Sequence, residues 1–207
     1  MSAFTNRYTF LYVTILVLII TVLLTGVYFG TKERQDANRT LENASQILKA
    51  AGYGVDKTQV QKLFEEVTEI KKTENGKEFY SVITPKKQQS FVVPVSGKGL
   101  WGPIWGYVAL ADDWNTIIGV AFAHKSETPG LGDKITEEDF LKRFVGKKIK
   151  NEAGEFVSVS VEKIGQKTAS DINRVDAVSG ATITSKGVEE MLFNSLKEVE
   201  PNLVRLT

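Results

Sequence analysis

The sequence predicts an α+β protein in which one N-terminal transmembrane helix precedes a single domain, whose antiparallel sheet is flanked by helices. Three observations predict this class. Residues 8–30 carry no charged side chain and are mostly apolar. Short strand-like runs, separated by turn signals, then occupy the middle of the chain. An amphipathic helical pattern lies near the C-terminus.

The apolar segment has the length of a membrane anchor. A helix over residues 8–30 spans roughly 34 Å at about 1.5 Å per residue, enough for a hydrocarbon core of about 30 Å. A secretory signal peptide has a shorter apolar run and ends in small residues at a cleavage site, so we predict an anchor that is not cleaved. The chain is therefore divided into residues 1–30, which contain the anchor, and residues 31–207, which form one domain.

Positive charges stand on both sides of the anchor. Arg7 precedes it, and Lys32, Arg34 and Arg39 follow it. Counted by number alone, these charges favour a cytoplasmic position for the domain, although the rule is weak for long translocated domains.

Helical patterns continue beyond the anchor. Apolar residues at helical spacing run on to a predicted stop at Gly52. A second helix is predicted from Asp56, with Gln59 three residues later in capping-box position. Its apolar positions extend through Ile70.

The central part of the chain is predicted to form strands. The strand-like runs are residues 79–84, 91–95, 104–110, 116–123 and 156–164. Residues 111–115 join the third and fourth runs, which predicts a β-hairpin. Asp112 and Asp113 belong to this turn and are not expected to form a metal site or an acid–base pair.

Two further helices are predicted in the C-terminal half. Thr136 is expected to cap a short helix, and the last helix is expected to begin near Thr184. Their inward residues are predicted to be Phe140, Leu141, Phe144, Val188, Met191, Leu192, Leu196 and Val199.

Composition excludes several classes of site. The sequence has no cysteine, which excludes disulfides, Cys-ligated zinc, iron–sulfur clusters and c-type haem attachment. Its one histidine, His124, cannot by itself build a histidine-rich metal site. The formal net charge is +1, so nothing indicates a nucleic-acid partner.

Residues 176–187 are the first candidate site. This stretch holds four hydroxyl residues, two glycines and Lys186 directly before an amphipathic helix. A helix N-terminus offers unpaired N–H groups and a positive dipole end, which favour a phosphate. Hydroxyl residues before a helix are, on composition alone, more often N-caps, so both interpretations stay open at this point.

The hydroxyl-rich stretch resembles a known modification motif. Residues 179–184, Ser-Gly-Ala-Thr-Ile-Thr, resemble the flavinylation motif Ser-Gly-Ala-Thr-x-Thr of the FMN-binding domain family. In that family a dedicated flavin transferase takes FMN from FAD and esterifies its phosphate to the final threonine. The resemblance implies a covalent FMN on Thr184. It also places Ser179, Gly180, Ala181 and Thr182 on the phosphate side, where Lys186 adds a positive charge.

A second stretch resembles the same family. Residues 127–132, Glu-Thr-Pro-Gly-Leu-Gly, match the loop of that sequence in FMN-binding domains. A Pro-Gly pair is a turn signal in any protein, so the loop alone carries little weight. With the first motif in the expected order, it implies that Glu127, Thr128 and Leu131 pack on the isoalloxazine ring.

A third stretch narrows the resemblance. Residues 97–103, Gly-Lys-Gly-Leu-Trp-Gly-Pro, are similar to the Gly-x-Gly-Leu-Trp of the C subunit of the Na+-translocating NADH:quinone oxidoreductase. Residues 102–104 instead resemble the G subunit of the related Rnf-type ferredoxin:NAD+ oxidoreductase complex. Trp101 either stacks near the flavin or packs in the core.

The resemblance to this C subunit implies a role in an assembly. The chain would be a single-pass flavoprotein of the bacterial inner membrane with a periplasmic FMN domain, and it would relay electrons toward quinone without substrate turnover of its own. Its partners would be the other membrane subunits of a Na+-transporting complex and the flavin transferase. The alternatives are the Rnf-type G subunit and a module that binds FMN noncovalently.

Overall fold

The computed structural model describes residues 6–203 except 55, 57, 74, 75 and 167. Two compact units are present, one ending at Glu42 and the other beginning at Asn43. The predicted outer limits of the two regions, residues 1 and 207, lie outside the described residues. Residue 30, the predicted end of the N-terminal segment, lies within helix α1, Asn6–Ala50.

Helix α1 carries the apolar segment of the chain. It is long and apolar enough to cross a membrane, and none of its most apolar window is buried in the structure. Thr14 and Thr21 donate hydrogen bonds to the carbonyl oxygens of Phe10 and Val17, so their hydroxyls are satisfied within the helix. The predicted stop is confirmed, because Gly52 has a φ of 91°, the left-handed conformation that follows many helices.

The second unit is built on a five-stranded antiparallel sheet, as predicted. Its strands pair in chain order, each with its neighbour in sequence. They are β1 (Thr68–Lys72), β2 (Glu78–Ile83), β3 (Gln89–Lys98), β4 (Pro103–Ala111) and β5 (Ile117–His124).

Helices cover both faces of this sheet. One face packs on helices α3 (Glu138–Leu141) and α4 (Thr182–Leu203) through a large apolar core. The other face packs on the last turns of α1, and helix α2 (Val60–Val67) lies beside them. Strand β3 is central, so Val92 and Val93 are both fully buried although they point to opposite faces.

Helix α4 lies unusually close to the sheet at the end of β3. A Cβ on Gly187 would lie 2.4 Å from the carbonyl oxygen of Lys98, the last residue of β3. Glycine is therefore the residue that lets the first turns of α4 approach this end of the sheet.

A second, small sheet leads the chain into α4. Strands β6 (Ser160–Glu162) and β7 (Arg174–Asp176) pair in parallel. The N–H of Ala177 donates to the carbonyl oxygen of Glu162 at 2.6 Å, which extends the contact by one residue. This pairing fixes the position at which the loop of residues 177–181 leaves the small sheet.

The second helix is shorter than predicted. It begins at Val60 rather than Asp56, and Ile70 lies in strand β1. The helical spacing does reach Ile70, but from Thr68 the chain pairs with β2, and these ladder hydrogen bonds outweigh the local pattern. Ile70 is 56% exposed in this outer strand, so it is not the buried helical position that was predicted.

Two other predictions need correction. The run at 156–164 forms a regular strand only at 160–162, because Ser158 has a φ of 61° that interrupts the extended chain. Thr136 does not cap α3: its hydroxyl donates to the carbonyl oxygen of Asp133 inside a 3₁₀ turn, and Glu137 is the residue before the helix. The predicted inward residues of α3, the turn after it and α4 are buried.

Candidate functional site

The first two candidate motifs meet at a buried hydrogen bond. The hydroxyl of Thr184, in the first turn of α4, donates to Oε2 of Glu127 at 2.6 Å. The two residues are 57 positions apart in the chain. Glu127 is 5% exposed and Thr184 is 1% exposed, so water has little access to either group.

The third motif holds the other oxygen of the same carboxylate. Residues 99–102 form the tip of the β3–β4 hairpin, where the N–H of Gly99 donates to the carbonyl oxygen of Gly102. From this tip, the N–H of Trp101 donates to Oε1 of Glu127 at 3.0 Å. All three sequence motifs therefore converge on one glutamate.

The backbone of Glu127 is tied to the end of β5. Its N–H donates to Nδ1 of His124 at 3.2 Å. Nδ1 of His124 acts as the acceptor in this contact. His124 thus positions Glu127, a role that the sequence did not indicate.

Two glycines make room for the carboxylate. A Cβ on Gly99 would lie 2.5 Å from Oε1 of Glu127, and a Cβ on Gly132 would lie 2.5 Å from Oε2. The latter would also lie 2.9 Å from Oγ1 of Thr184. A side chain at either position would force Glu127 or its neighbours to shift. Gly99 and Gly132 thus allow the close packing around the Glu127–Thr184 pair.

The loop before α4 also needs a glycine at position 180. Gly180 has a φ of 78°, and a Cβ there would lie 2.9 Å from Cδ2 of Leu131. Leu131 is 43% exposed and lies over this loop. The loops at 127–132 and 177–181 are therefore in direct contact.

Ser185, inside the first turns of α4, forms a hydrogen bond with the loop that precedes the helix. Its Oγ accepts the N–H of Val178 at 3.1 Å, which fixes the loop before the helix. Thr184 instead donates across the fold to Glu127. The two adjacent hydroxyls therefore have different roles, one local and one between distant motifs.

Large apolar side chains stand exposed around the pair. Trp101 is 67% exposed, which excludes the core-packing interpretation of this residue. Leu100 and Leu131 are each 43% exposed, and Ile183 is 61% exposed. Exposed apolar residues next to buried polar ones are typical of a surface that binds a flat, partly apolar ligand.

The remaining motif residues are placed as follows. Ser179 and Thr182 are exposed, and with Gly180 and Lys163 they line a cavity of about 210 Å³ beside the start of α4. Thr128 closes the turn of its loop, because its carbonyl oxygen accepts the N–H groups of Leu131 and Asp133.

Lys186 lies away from the pair. It forms an ion pair with Oε1 of Glu189, whose Oε2 accepts the N–H of Val161 in β6 at 2.7 Å. Among the described contacts, none joins Lys186 to Thr184 or Glu127. The part of the chain that the structure describes holds no cluster of His, Cys, Asp and Glu suited to a metal ion.

Comparison with known proteins identifies the family of this chain. A family model described as FMN-binding domain matches residues 99–197, which contain all but the first two residues of the three motifs. The C subunit of the Na(+)-translocating NADH-quinone reductase of Haemophilus ducreyi is 31% identical over 219 residues, covering 86% of this chain and 84% of that protein.

The chain belongs to the family of C subunits of the Na(+)-translocating NADH-quinone reductase.

Other relatives agree with this membership. The C subunit of Pseudomonas aeruginosa is 35% identical over 129 residues, a match that covers 62% of this chain and only 49% of that longer protein. The crystal structure of the C subunit from Parabacteroides distasonis has 35% identity and a TM-score of 0.75, covering 83% of this chain and 96% of that one. NqrC from Shewanella oneidensis has 28% identity and a TM-score of 0.63, covering 78% of this chain and 99% of that one.

Family membership decides between two of the alternatives that the sequence left open. The chain is a member of the C subunits of this reductase rather than of the Rnf-type G subunits. Membership also confirms the fold class, since the structure from Parabacteroides distasonis matches this chain at a TM-score of 0.75.

Proposed function

We propose that this chain is a membrane-anchored electron-transfer subunit of a Na+-translocating NADH:quinone oxidoreductase, with FMN esterified through its phosphate to Thr184. The observation that carries the proposal is the Glu127–Thr184 hydrogen bond, which joins the two motifs of the FMN-binding domain at a single hydroxyl. A threonine needed only as a helix cap would instead accept a backbone N–H group of the same helix.

The residues around Thr184 fit the parts of FMN. Residues 179–182 supply a small-residue loop and the N-terminus of a helix of 22 residues, which suit a phosphate. The exposed side chains of Trp101, Leu131 and Ile183 suit the flat ring, and the polar groups of Glu127 and Thr128 lie in the adjacent loop. Lys186 is held by Glu189 and contributes charge at longer range.

The chain's own residues set the position and exposure of the cofactor. FMN, when bound, supplies the redox chemistry. An ester at Thr184 fixes the attachment point at the start of α4, where the close contact between Gly187 and Lys98 limits its movement. Because the flanking apolar residues are exposed, part of a ring bound there stays accessible to electron-transfer partners.

The N-terminal segment supports attachment to a membrane. Residues 8–30 contain no charge, so α1 is suited to an anchor and poorly suited to conduct Na+ by itself. Ion transport and NADH oxidation are therefore assigned to the other membrane subunits of the complex. We place the chain in the bacterial inner membrane with its FMN domain in the periplasm, which follows the family rather than the flanking charges.

Mass measurement on two variants tests the attachment. The full chain is expressed with its flavin transferase, and the wild type should gain the mass of one FMN minus water, located on a peptide covering residues 175–186. Thr184→Ala should show no added mass and no fluorescence after denaturation, because the ester oxygen is gone. Thr116→Ala removes a threonine that also donates to a carboxylate, and it should remain fully labelled.

Two results would contradict the proposal. Full denaturation-resistant fluorescence in Thr184→Ala would assign the ester to another residue. An unmodified wild type that loses all its flavin on denaturation would favour the module that binds FMN noncovalently.

A further inference from the structure

The hydrogen bond between Thr184 and Glu127 has a defined direction. A carboxylate has no proton to give, so the single hydroxyl proton of Thr184 points at Oε2 of Glu127. The lone pairs of Oγ1 are left free of this contact. At 2.6 Å, the pair lies within the distance at which a general base serves a nucleophile.

We propose that Glu127 is the general base that removes the proton of Thr184 when FMN is attached. This inference rests on the proposed function, because it concerns the reaction by which the cofactor is acquired. It gives Glu127 a role that differs from packing against the flavin ring.

The step balances with FAD as the FMN donor and the transferase as the enzyme that holds it. A bond forms between Oγ1 of Thr184 and the phosphorus of the FMN half of FAD. The bond from that phosphorus to the bridging oxygen breaks, and AMP leaves with that oxygen. The hydroxyl proton moves to Oε2 of Glu127 and passes later to solvent.

The surroundings of Glu127 hold its carboxylate ready for this transfer. Oε1 accepts the N–H of Trp101, so only Oε2 faces the hydroxyl. Gly99 and Gly132 lie so close to the two carboxylate oxygens that neither position has room for a Cβ. This packing limits rotation of the carboxylate. The His124 contact fixes the backbone beneath it. A base oriented by a further group is the arrangement found where serine or threonine acts as a nucleophile.

The same packing separates Thr184 from solvent. Its 1% exposure means that the packing around Thr184 has to open before the phosphorus can reach Oγ1. Glu127 is also hydrogen-bonded to Trp101 and His124, which belong to the β3–β4 tip and the end of β5.

The test measures the initial rate of FMN transfer to the full chain in detergent, with purified transferase and FAD. Product is followed by intact mass and by fluorescence after denaturation. Glu127→Gln keeps the size of the side chain but is not a base, and it should slow transfer by about 100-fold or more, the lower end of general-base contributions. Asp113→Asn removes the carboxylate that accepts the hydroxyl of Thr116, and this variant should receive FMN at the wild-type rate.

Rescue by a second carboxylate separates a base from a structural contact. Glu127→Asp, which retains a carboxylate at a greater distance, should recover part of the transfer rate that Glu127→Gln loses.

Two outcomes would overturn the inference: a folded Glu127→Gln chain that is labelled at the wild-type rate, or a Glu127→Asp rate no higher than that of Glu127→Gln. If Glu127→Gln fails to give the wild-type circular dichroism spectrum, Glu127→Asp decides. Failure of the proposed function is distinct, because the wild type itself would then carry no FMN on Thr184.

Discussion

Two hydrogen-bonded threonine–carboxylate pairs of this protein can be compared, one within a turn and one between two distant motifs. In the β4–β5 turn, Oδ2 of Asp113 accepts the hydroxyl of Thr116 at 2.5 Å. In the site, Oε2 of Glu127 accepts the hydroxyl of Thr184 at 2.6 Å. The two bonds are nearly equal in length, but they join residues 3 and 57 positions apart, respectively.

The local pair has the features of a turn-closing contact. Oδ1 of Asp113 also accepts the N–H groups of Asn115 and Thr116, at 2.9 and 2.8 Å. Burial raises the pKa of Asp113, but these hydrogen bonds together outweigh it, so the pKa lies below its ordinary value. Every one of these hydrogen-bond partners comes from the next few residues, and the group is exposed.

The Glu127–Thr184 pair takes its hydrogen-bond donors from distant parts of the chain. The carboxylate of Glu127 takes one backbone N–H and one hydroxyl, and each donor comes from a separate motif. Turn closure would need neither donor. The proposed attachment at Thr184 depends on this buried hydrogen bond across the fold. The comparison teaches that bonds of nearly equal length differ in origin and burial, since one closes a turn and the other joins distant parts of the fold.

Outside the Glu127–Thr184 pair itself, the largest expected effect comes from Gly132→Ala. The added Cβ would lie 2.5 Å from Oε2 of Glu127 and 2.9 Å from Oγ1 of Thr184, so the pair has to separate. Because small displacements of reacting groups cost up to about 100-fold in rate, we expect FMN transfer to slow by at least about 10-fold. The initial rate of labelling measures the effect. Gly54→Ala, whose Cβ would meet nothing within 4 Å, serves as the control. Equal rates in both variants would show that the spacing of the pair is unimportant.

An intermediate effect, on stability alone, is expected from Ser185→Ala. The N–H of Val178 loses its buried acceptor, which should lower the free energy of unfolding by about 1–3 kcal/mol. Labelling should remain complete, because the reacting hydroxyl is that of Thr184. Urea unfolding in detergent and intact mass measure the two quantities. Loss of the flavin from this variant would instead move the attachment by one residue.

The smallest effect is expected from Asp113→Asn. Since the folded-state pKa of Asp113 is lowered, its ionised form stabilises the fold above the unfolded-state pKa of about 3.9, and this contribution is lost as the pH falls through the lower folded-state value. The variant should lose about 0.5–1 kcal/mol at pH 7, a modest amount because the group is solvent-screened. Below the folded-state pKa, the variant and the wild type should be equally stable.

Urea unfolding at neutral and acid pH checks this expectation. Asp112→Asn, which changes the neighbouring exposed carboxylate, is the matched control and should show a smaller loss. A loss in Asp113→Asn that persists unchanged at low pH would mean that ionised Asp113 is not its source.

Local sequence predicted most elements where one pattern dominated. The hairpin of β4 and β5 and the buried face of α4 follow directly from alternation and helical spacing. Prediction failed where two patterns overlapped, as at Ile70, which fits both the end of a helix and the start of an edge strand. It also failed at Ser158, whose left-handed backbone no composition signal indicates.

The candidate site was also predicted from the sequence only in part. The sequence identified the three motifs, and with them Thr184 and Glu127, and the contact of Glu127 with the flavin ring stays a prediction. It did not find the contact of His124 or of Gly99 with Glu127, because each depends on the folded chain. Lys186 pairs with Glu189 in the structure, and its place on the phosphate side also stays a prediction.

By itself the sequence determined the uncharged segment, most of the strands and helices, and the family, because these depend on the order of neighbouring residues. Only the tertiary structure decided that the hydroxyl of Thr184 donates a hydrogen bond to Glu127. That contact exists because the antiparallel order of β3, β4 and β5 brings the end of β5 beside the β3–β4 tip, and because Gly187 lets α4 close on the same end of the sheet. Proximity between residues 57 positions apart is a property of packing, which no local pattern encodes.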